Sequence, residues 1–77
     1  MIDDINYFHQ ACRNIVDHKD EKALNWAVNY ARYGLSIQDK HEAKVQALYI
    51  KGNMTHWRGP IAKETRSILN NVIKHWK

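Results

Sequence analysis

Apolar residues recur every three or four positions along the chain, and no segment alternates between apolar and polar residues as a strand does. This spacing is typical of amphipathic helices. It predicts four of them, at residues 2–17, 21–33, 37–57 and 60–76. With 3 glycines and 1 proline available for turns, the connections are expected to be short. We therefore expect an all-α fold, a compact bundle of about four helices in one domain, residues 1–77.

Each predicted helix has an apolar stripe that we expect to face the core. The stripes of the four helices comprise Ile5, Phe8, Cys12 and Ile15 with Val16; Leu24, Ala27, Val28 and Ala31; Ala43, Ala47, Ile50, Met54 and Trp57; and Ile61, Thr65, Ile68, Leu69, Val72, Ile73 and Trp76. The second helix is unusual because its large aromatic residues lie opposite its small ones. Such a helix is either sandwiched between neighbours or keeps one face for a partner.

Capping residues and glycines suggest where the helices begin and end. Asp20 is expected to cap the second helix, and Gly34 to end it in the left-handed region. Ser36 is a candidate N-cap for the third helix, with Asp39 in the position of a capping box.

Two interpretations remain open for Gly52, which is either a helix end or a close-packing point within a longer helix. The apolar stripe continues in register as far as Trp57, which favours one helix, bent at Gly52. Gly59 and Pro60 then form the turn into the last helix, since proline suits a first helical turn.

The single cysteine, Cys12, excludes an internal disulfide and favours a reducing cytoplasm. No apolar run is long enough for a membrane span, and none resembles a signal peptide. A chain of 77 residues buries only about 60–65% of its unfolded surface. We therefore expect a partner, either a second copy or a foreign protein, to supply further burial.

Net charge is concentrated at the C-terminal end. Residues 58–77 carry five cations and one anion (+4), whereas residues 1–57 carry seven of each (0). This asymmetry predicts contact with something negatively charged. The polar face of the last helix and the preceding turn supply the candidate residues for an anionic surface or nucleic acid: Arg58, Lys63, Arg66, Lys74 and Lys77. A solvated outer face is the simpler interpretation of the same pattern.

Catalytic and metal chemistry find little support in the sequence. No two of the five histidines are four positions apart, and His9, three positions from Cys12, lies off the apolar stripe. We expect the histidines to lie at the surface and Cys12 to be a buried structural residue. We predict no catalytic residues, no metal and no cofactor.

The aromatic residues are the better candidates for a site. Trp26, Tyr30 and Tyr33 exceed what a core of this size needs, which predicts a protein interface unless their helix is sandwiched. Trp57 and Arg58, at the corner before the last helix, are a second candidate contact. Because Trp57 also continues the core stripe, burial is favoured for it.

The segments ALNWAVNYARYGL (residues 23–35) and HEAKVQALYIKGNMTHWRGPIAKETRSIL (residues 41–69) resemble small helical proteins of phages and prophages. The piece that most carries the resemblance is MTHWRG, residues 54–59. The resemblance implies a phage-type accessory protein that binds a host protein or complex, such as a host defence complex, and blocks or recruits it. Together with the residues, it predicts a non-enzymatic, cytoplasmic protein-binding module without membrane contact. The alternative is a small basic protein that binds nucleic acid through its last helix.

Overall fold

The computed structural model describes residues 4–76, which form four α-helices and one short 3-10 turn without any strand. The helices are α1 (Ile5–Asp17), α2 (Ala27–Gly34), α3 (Lys40–Gly52) and α4 (Pro60–His75), and the 3-10 turn is Lys22–Leu24. The prediction of an all-α bundle of about four helices is confirmed. The predicted helix boundaries are wrong in the middle of the chain, for reasons that the turns make clear.

Helix α1 begins directly after Asp4, whose carboxylate accepts a hydrogen bond from the Asn6 backbone N–H at 2.9 Å. This cap satisfies one of the N–H groups that a helix start leaves without a partner. The predicted stripe is buried at Phe8, Cys12 and Ile15 and half-buried at its two ends. Residues 2 and 3 of the predicted helix lie outside the described residues.

The second predicted helix, 21–33, is shorter than expected. Leu24 and Asn25 donate backbone hydrogen bonds to residues three positions earlier, so that the chain first makes the 3-10 turn. No side chain caps this turn, and the predicted cap by Asp20 is therefore wrong. Helix α2 begins only at Ala27, yet all four residues of the predicted small face are buried.

Gly34 does not end α2 by adopting a positive φ, as the sequence suggested. It is the last residue of α2, and Gly59 alone among the described residues has a positive φ. Its role is steric, because a Cβ at Gly34 would lie 2.7 Å from Cys12 Sγ and 3.2 Å from a Phe8 ring carbon. Glycine therefore allows the end of α2 to pack directly against α1.

Helix α3 begins at Lys40 rather than at residue 37. The Asp39 carboxylate caps it by accepting from the His41 N–H, whereas the Ser36 hydroxyl donates to the Tyr33 carbonyl. Ser36 therefore belongs to the end of α2, and the predicted Ser36 cap is wrong. Ile37 is buried in the connection between the two helices.

Helix α3 ends at Gly52, so the favoured interpretation of one helix through to Trp57 is wrong. Asn53, Met54 and Trp57 each donate a backbone hydrogen bond to the residue three positions before it. Such turns keep side chains near the phase of the preceding helix, and Met54 and Trp57 still enter the core. The apolar stripe therefore continues although the helix does not. Nothing packs against Gly52.

Helix α4 begins as predicted, with Gly59 at φ 115° and Pro60 as its first residue. Its predicted core-facing residues from Thr65 to Trp76 are buried, except for Ile73, which is half-buried against the core. Ile61 remains 39% exposed, so its predicted place in the core is wrong. Ile61 lies in the first turn, before α4 is fully covered by its neighbours.

The helices pack in sequence around one apolar core, with α1 against α2 and α4, and α3 against α2 and α4. Helices α1 and α3 are thus diagonal to each other and touch less. The accessible surface of 4844 Å² is close to the ~4900 Å² expected for a folded monomer of this mass. In the described part of the chain, no helix has the length and apolarity required to cross a bilayer.

Candidate interaction surfaces

The three aromatic side chains of the second predicted helix point outward. Trp26, just before α2, is 71% exposed, Tyr33 is 54% exposed, and Tyr30 lies between them and is also exposed. They occupy one side of the helix because they are spaced by four and three residues. The sandwiched alternative is therefore wrong, since this side of α2 is open to solvent.

Helix α3 extends this aromatic surface with three further residues. The rings of Tyr30 and Tyr49 stack across the two helices, with centroids 5.8 Å apart and planes 17° from parallel. Val45, four positions before Tyr49, is exposed on the same side of α3, and Leu48, one position before Tyr49, is exposed at the outer edge of this surface. We call the six exposed residues the aromatic face: Trp26, Tyr30, Tyr33, Val45, Leu48 and Tyr49.

Hydrogen bonds between α2 and α3 hold the aromatic face in place. The Tyr33 hydroxyl donates to Glu42 Oε1 at 2.9 Å, and Gln46 donates from Nε2 to the Tyr30 carbonyl at 2.9 Å. The hydrogen bond to Glu42, together with the negative charge of that carboxylate, raises the pKa of Tyr33. Two of the three aromatic side chains from the α2 segment are thus tied to α3 before any partner arrives.

The core is complete without these residues, since nineteen apolar side chains are buried in a single cluster. The aromatic face exposes roughly 600 Å², if a large side chain contributes about 150–250 Å² when fully accessible. Patches of that size are at the upper limit for monomers and usually have a function. A standard interface buries about 800 Å² on each partner.

The second candidate contact, the Trp57–Arg58 corner, is divided between core and surface. Trp57 is 4% exposed, and its ring lies against the His18 ring with centroids 5.5 Å apart. The burial favoured for Trp57 is confirmed, which removes it as a surface anchor. Arg58 is exposed, and its guanidinium donates to the carbonyls of Thr55 and Trp57.

The basic residues of α4 differ among themselves. Lys63 and Lys74 are exposed, as predicted, and Lys77 lies outside the described residues. Arg66 was predicted to face solvent but is half-buried, and it donates to the carbonyls of Met54 (2.8 Å) and Trp57. Because these carbonyls belong to the loop after α3, Arg66 fastens that loop to α4. No pattern in the sequence indicates that the loop passes close to this side chain.

Buried polar groups have structural partners. His9, expected at the surface, is buried, and its Nε2 donates to the Ile37 carbonyl at 2.8 Å. Asn14 is also buried, and donates to the Thr65 hydroxyl at 3.1 Å. Among residues 4–76, every buried side-chain nitrogen or oxygen has a hydrogen-bond partner. These groups therefore connect helices and leave no polar atom aimed at a ligand.

Cys12 is fully buried beneath Gly34. Burial raises the pKa of its thiol to about 12, although the charge of Arg13 lowers it slightly. A thiol with so high a pKa is a poor nucleophile at neutral pH. Within residues 4–76, no three metal-binding side chains lie close enough together to hold an ion.

Comparison of the chain with protein-family models, with curated proteins and with solved structures gives no match.

Proposed function

We propose that this protein is a non-enzymatic protein-binding module and that the aromatic face is its contact surface. The observation that carries the proposal is a stacked, hydrogen-bonded aromatic surface left exposed on a molecule whose core is already full. Tyr and Trp dominate the residues that contribute most to protein binding, because they bury a large area with few rotatable bonds. The resemblance to phage proteins favours a host protein as the partner, which the module blocks or recruits.

Trp26 is the expected anchor. It is the most exposed large side chain of the face, whereas Tyr30 is partly covered by its stacking partner Tyr49. An exposed tryptophan loses the most solvent contact when it enters a pocket on a partner. Its removal is also expected to leave the free protein intact, because so little of it is buried.

The test compares Trp26→Ala with Ile61→Ala, which also shortens an exposed apolar side chain but lies on α4. Each immobilised variant is used to capture proteins from an extract of the native host, treated with nuclease, and the captured protein is then purified and titrated. We expect Trp26→Ala to weaken its binding by about 2 kcal/mol, or roughly thirtyfold. Ile61→Ala is expected to bind like the native chain.

Equal binding by both variants and the native chain would exclude the aromatic face as the contact surface. Light scattering over a concentration series tests the alternative that a second copy of the chain binds the aromatic face. A dimer that Trp26→Ala converts to monomers would mean that the aromatic face serves self-association rather than binding to a host protein.

A further inference from the structure

A second exposed surface lies on the other flank of α3. The flank that faces α2 is marked by Glu42 and Tyr49, which contact Tyr33 and Tyr30. Lys44 and Lys51 each follow one of these two residues by two positions, which rotates them by about 200° around the helix. They are therefore directed away from α2, toward the side on which α4 packs. The half-burial of Lys44 agrees with a position beside α4.

Helix α4 presents its own cations next to this flank. Arg66 marks the side of α4 that faces α3, because it bonds to carbonyls of the loop that follows α3. Lys63, Asn70 and Lys74 continue from Arg66 at spacings of three and four residues, which places them in one row along the helix. Arg58 lies in the loop at the start of this row and is exposed.

The carboxylates of this half of the molecule are turned elsewhere. Residues 40–76 contain seven cations and two acids (+5), whereas residues 4–39 contain four cations and five acids (−1). Of the two acids, Glu42 accepts from Tyr33 on the α2 side, and Glu64 accepts from Asn14 on the α1 side at 3.2 Å. We call the resulting surface the basic face: Lys44, Lys51, Arg58, Lys63, Arg66 and Lys74.

We propose that the basic face binds the phosphate backbone of double-stranded nucleic acid, independently of base sequence. Lys63 and Lys74 are separated by about 16 Å along α4, a length over which duplex DNA carries roughly ten phosphates. The four lysines are exposed or, at Lys44, half-buried, whereas Arg58 and Arg66 also donate to carbonyls of the loop. The site is separate from the aromatic face, so it does not depend on the protein-binding function proposed above.

Other anionic partners fit this surface less well. A membrane-binding face needs several apolar side chains among its cations. Leu48 adjoins Lys44 and Lys51 on α3, but Ser67 and Asn70 lie between the basic residues of α4. Single-stranded nucleic acid is usually held by stacking on aromatic rings. In the described part of the chain, the exposed rings of α2 and α3 belong to the opposite flank of α3.

The experiment is a fluorescence anisotropy titration of a labelled 24-base-pair DNA duplex at salt concentrations from 50 to 300 mM. With about five phosphate contacts, log K should fall with log salt with a slope of about −4. In Lys63→Gln/Lys74→Gln the slope should become shallower by about two, and affinity near 100 mM salt should fall between tenfold and a hundredfold. The matched control is Arg13→Gln/Arg32→Gln, which removes the same charge from exposed residues of α1 and α2, the two helices that carry none of the basic face, and should retain native affinity within about threefold.

Several results would overturn the proposal. One is the absence of binding by the native chain at 50 mM salt with protein up to about 200 μM, because non-specific complexes have dissociation constants of about 10⁻⁶ to 10⁻⁴ M. Another is an equal loss of affinity in the two double variants, which would mean that only the net charge of the protein matters. Tighter binding to single strands of the same length, to anionic phospholipid vesicles or to poly-glutamate would assign the face to another partner. Circular dichroism melts establish whether the helices of each variant are intact. The salt slope of the native chain tests the proposal without any variant.

Discussion

The two flanks of α3 use the same helix to present opposite kinds of surface. On the α2 side, Tyr49 is stacked on a ring of the neighbouring helix, and Glu42 is hydrogen-bonded to another. On the α4 side, the helical positions of Lys44 and Lys51 direct them toward the helix that carries Lys63, Arg66 and Lys74. The first flank is held in place by contacts within the protein. The second is a set of flexible side chains whose charges remain to be neutralised.

Because of this difference, binding at the two flanks should differ in its entropy cost and in its dependence on salt. A preformed aromatic surface loses little conformational entropy on binding and is weakly sensitive to salt. A row of lysines gains affinity mainly by releasing counterions from a polyanion, so its binding depends steeply on salt. Under the two proposals, helix α3 separates a specific, salt-tolerant surface from an electrostatic one. Stability measurements should distinguish the two flanks even before a partner is known.

The largest effect on stability is expected within the basic face, at the cation that fastens the loop after α3 to α4. Arg66→Ala removes charged hydrogen bonds to the carbonyls of Met54 and Trp57, and should lower the free energy of unfolding by about 2 kcal/mol. Lys63→Ala, on the same face, should change it by less than about 0.5 kcal/mol. Urea denaturation measures both. Similar values for the two variants would show that Arg66 does not fasten the loop.

The next effect concerns the packing of α2, which carries Tyr30 and Tyr33 of the aromatic face, against α1. Gly34→Ala brings a Cβ within 2.7 Å of Cys12 Sγ. Overpacking costs about 1–3 kcal/mol, and the better helix propensity of alanine recovers up to about 1 kcal/mol. We expect a net loss of roughly 1 kcal/mol in unfolding free energy. In a Cys12→Ala background the loss should shrink, because the Phe8 ring, 3.2 Å from the new Cβ, is then the remaining close contact. A double-mutant cycle that shows strict additivity would contradict the close contact with Cys12.

A smaller effect is expected for the stacked rings of Tyr30 and Tyr49, which join the two halves of the aromatic face across α2 and α3. A double-mutant cycle with Tyr30→Ala and Tyr49→Ala should give a coupling energy of about 0.5–1 kcal/mol, the range for aromatic pairs. The control cycle uses Tyr30 and Ile61, two exposed residues on α2 and α4, which are diagonal in the bundle. A coupling energy near zero for the tyrosines would mean that the aromatic face is not preformed, which would remove the main contrast with the basic flank.

The apolar periodicity predicted the four helices and nearly all of the core, because burial is the strongest constraint on such a pattern. It failed where residues outside a helix enter the core with the same spacing as a helix. Met54 and Trp57 continue the stripe of α3 from consecutive turns, so periodicity alone could not show that the helix ends at Gly52. The pattern predicts Gly34 as a left-handed helix end and misses its steric role, because the contact with Cys12 joins residues far apart in the sequence.

The candidate surfaces were only half visible in the sequence for the same reason. Trp26, Tyr30 and Tyr33 were recognisable because they share one helix. Tyr49, Lys44 and Lys51 become part of a surface only when α2 and α4 are placed on either side of α3. The burial of His9 likewise depends on the Ile37 carbonyl, which lies in a connection that no helical pattern describes.

The central claim is that the two flanks of α3 are independent binding surfaces. The most direct test is to titrate Trp26→Ala with the same labelled duplex used for the native chain, at several salt concentrations. If the flanks are independent, the variant binds DNA within about twofold of the native affinity and with the same salt slope of about −4. A tenfold loss of DNA affinity in a folded Trp26→Ala would contradict the account, because it would make the aromatic and basic residues parts of one surface.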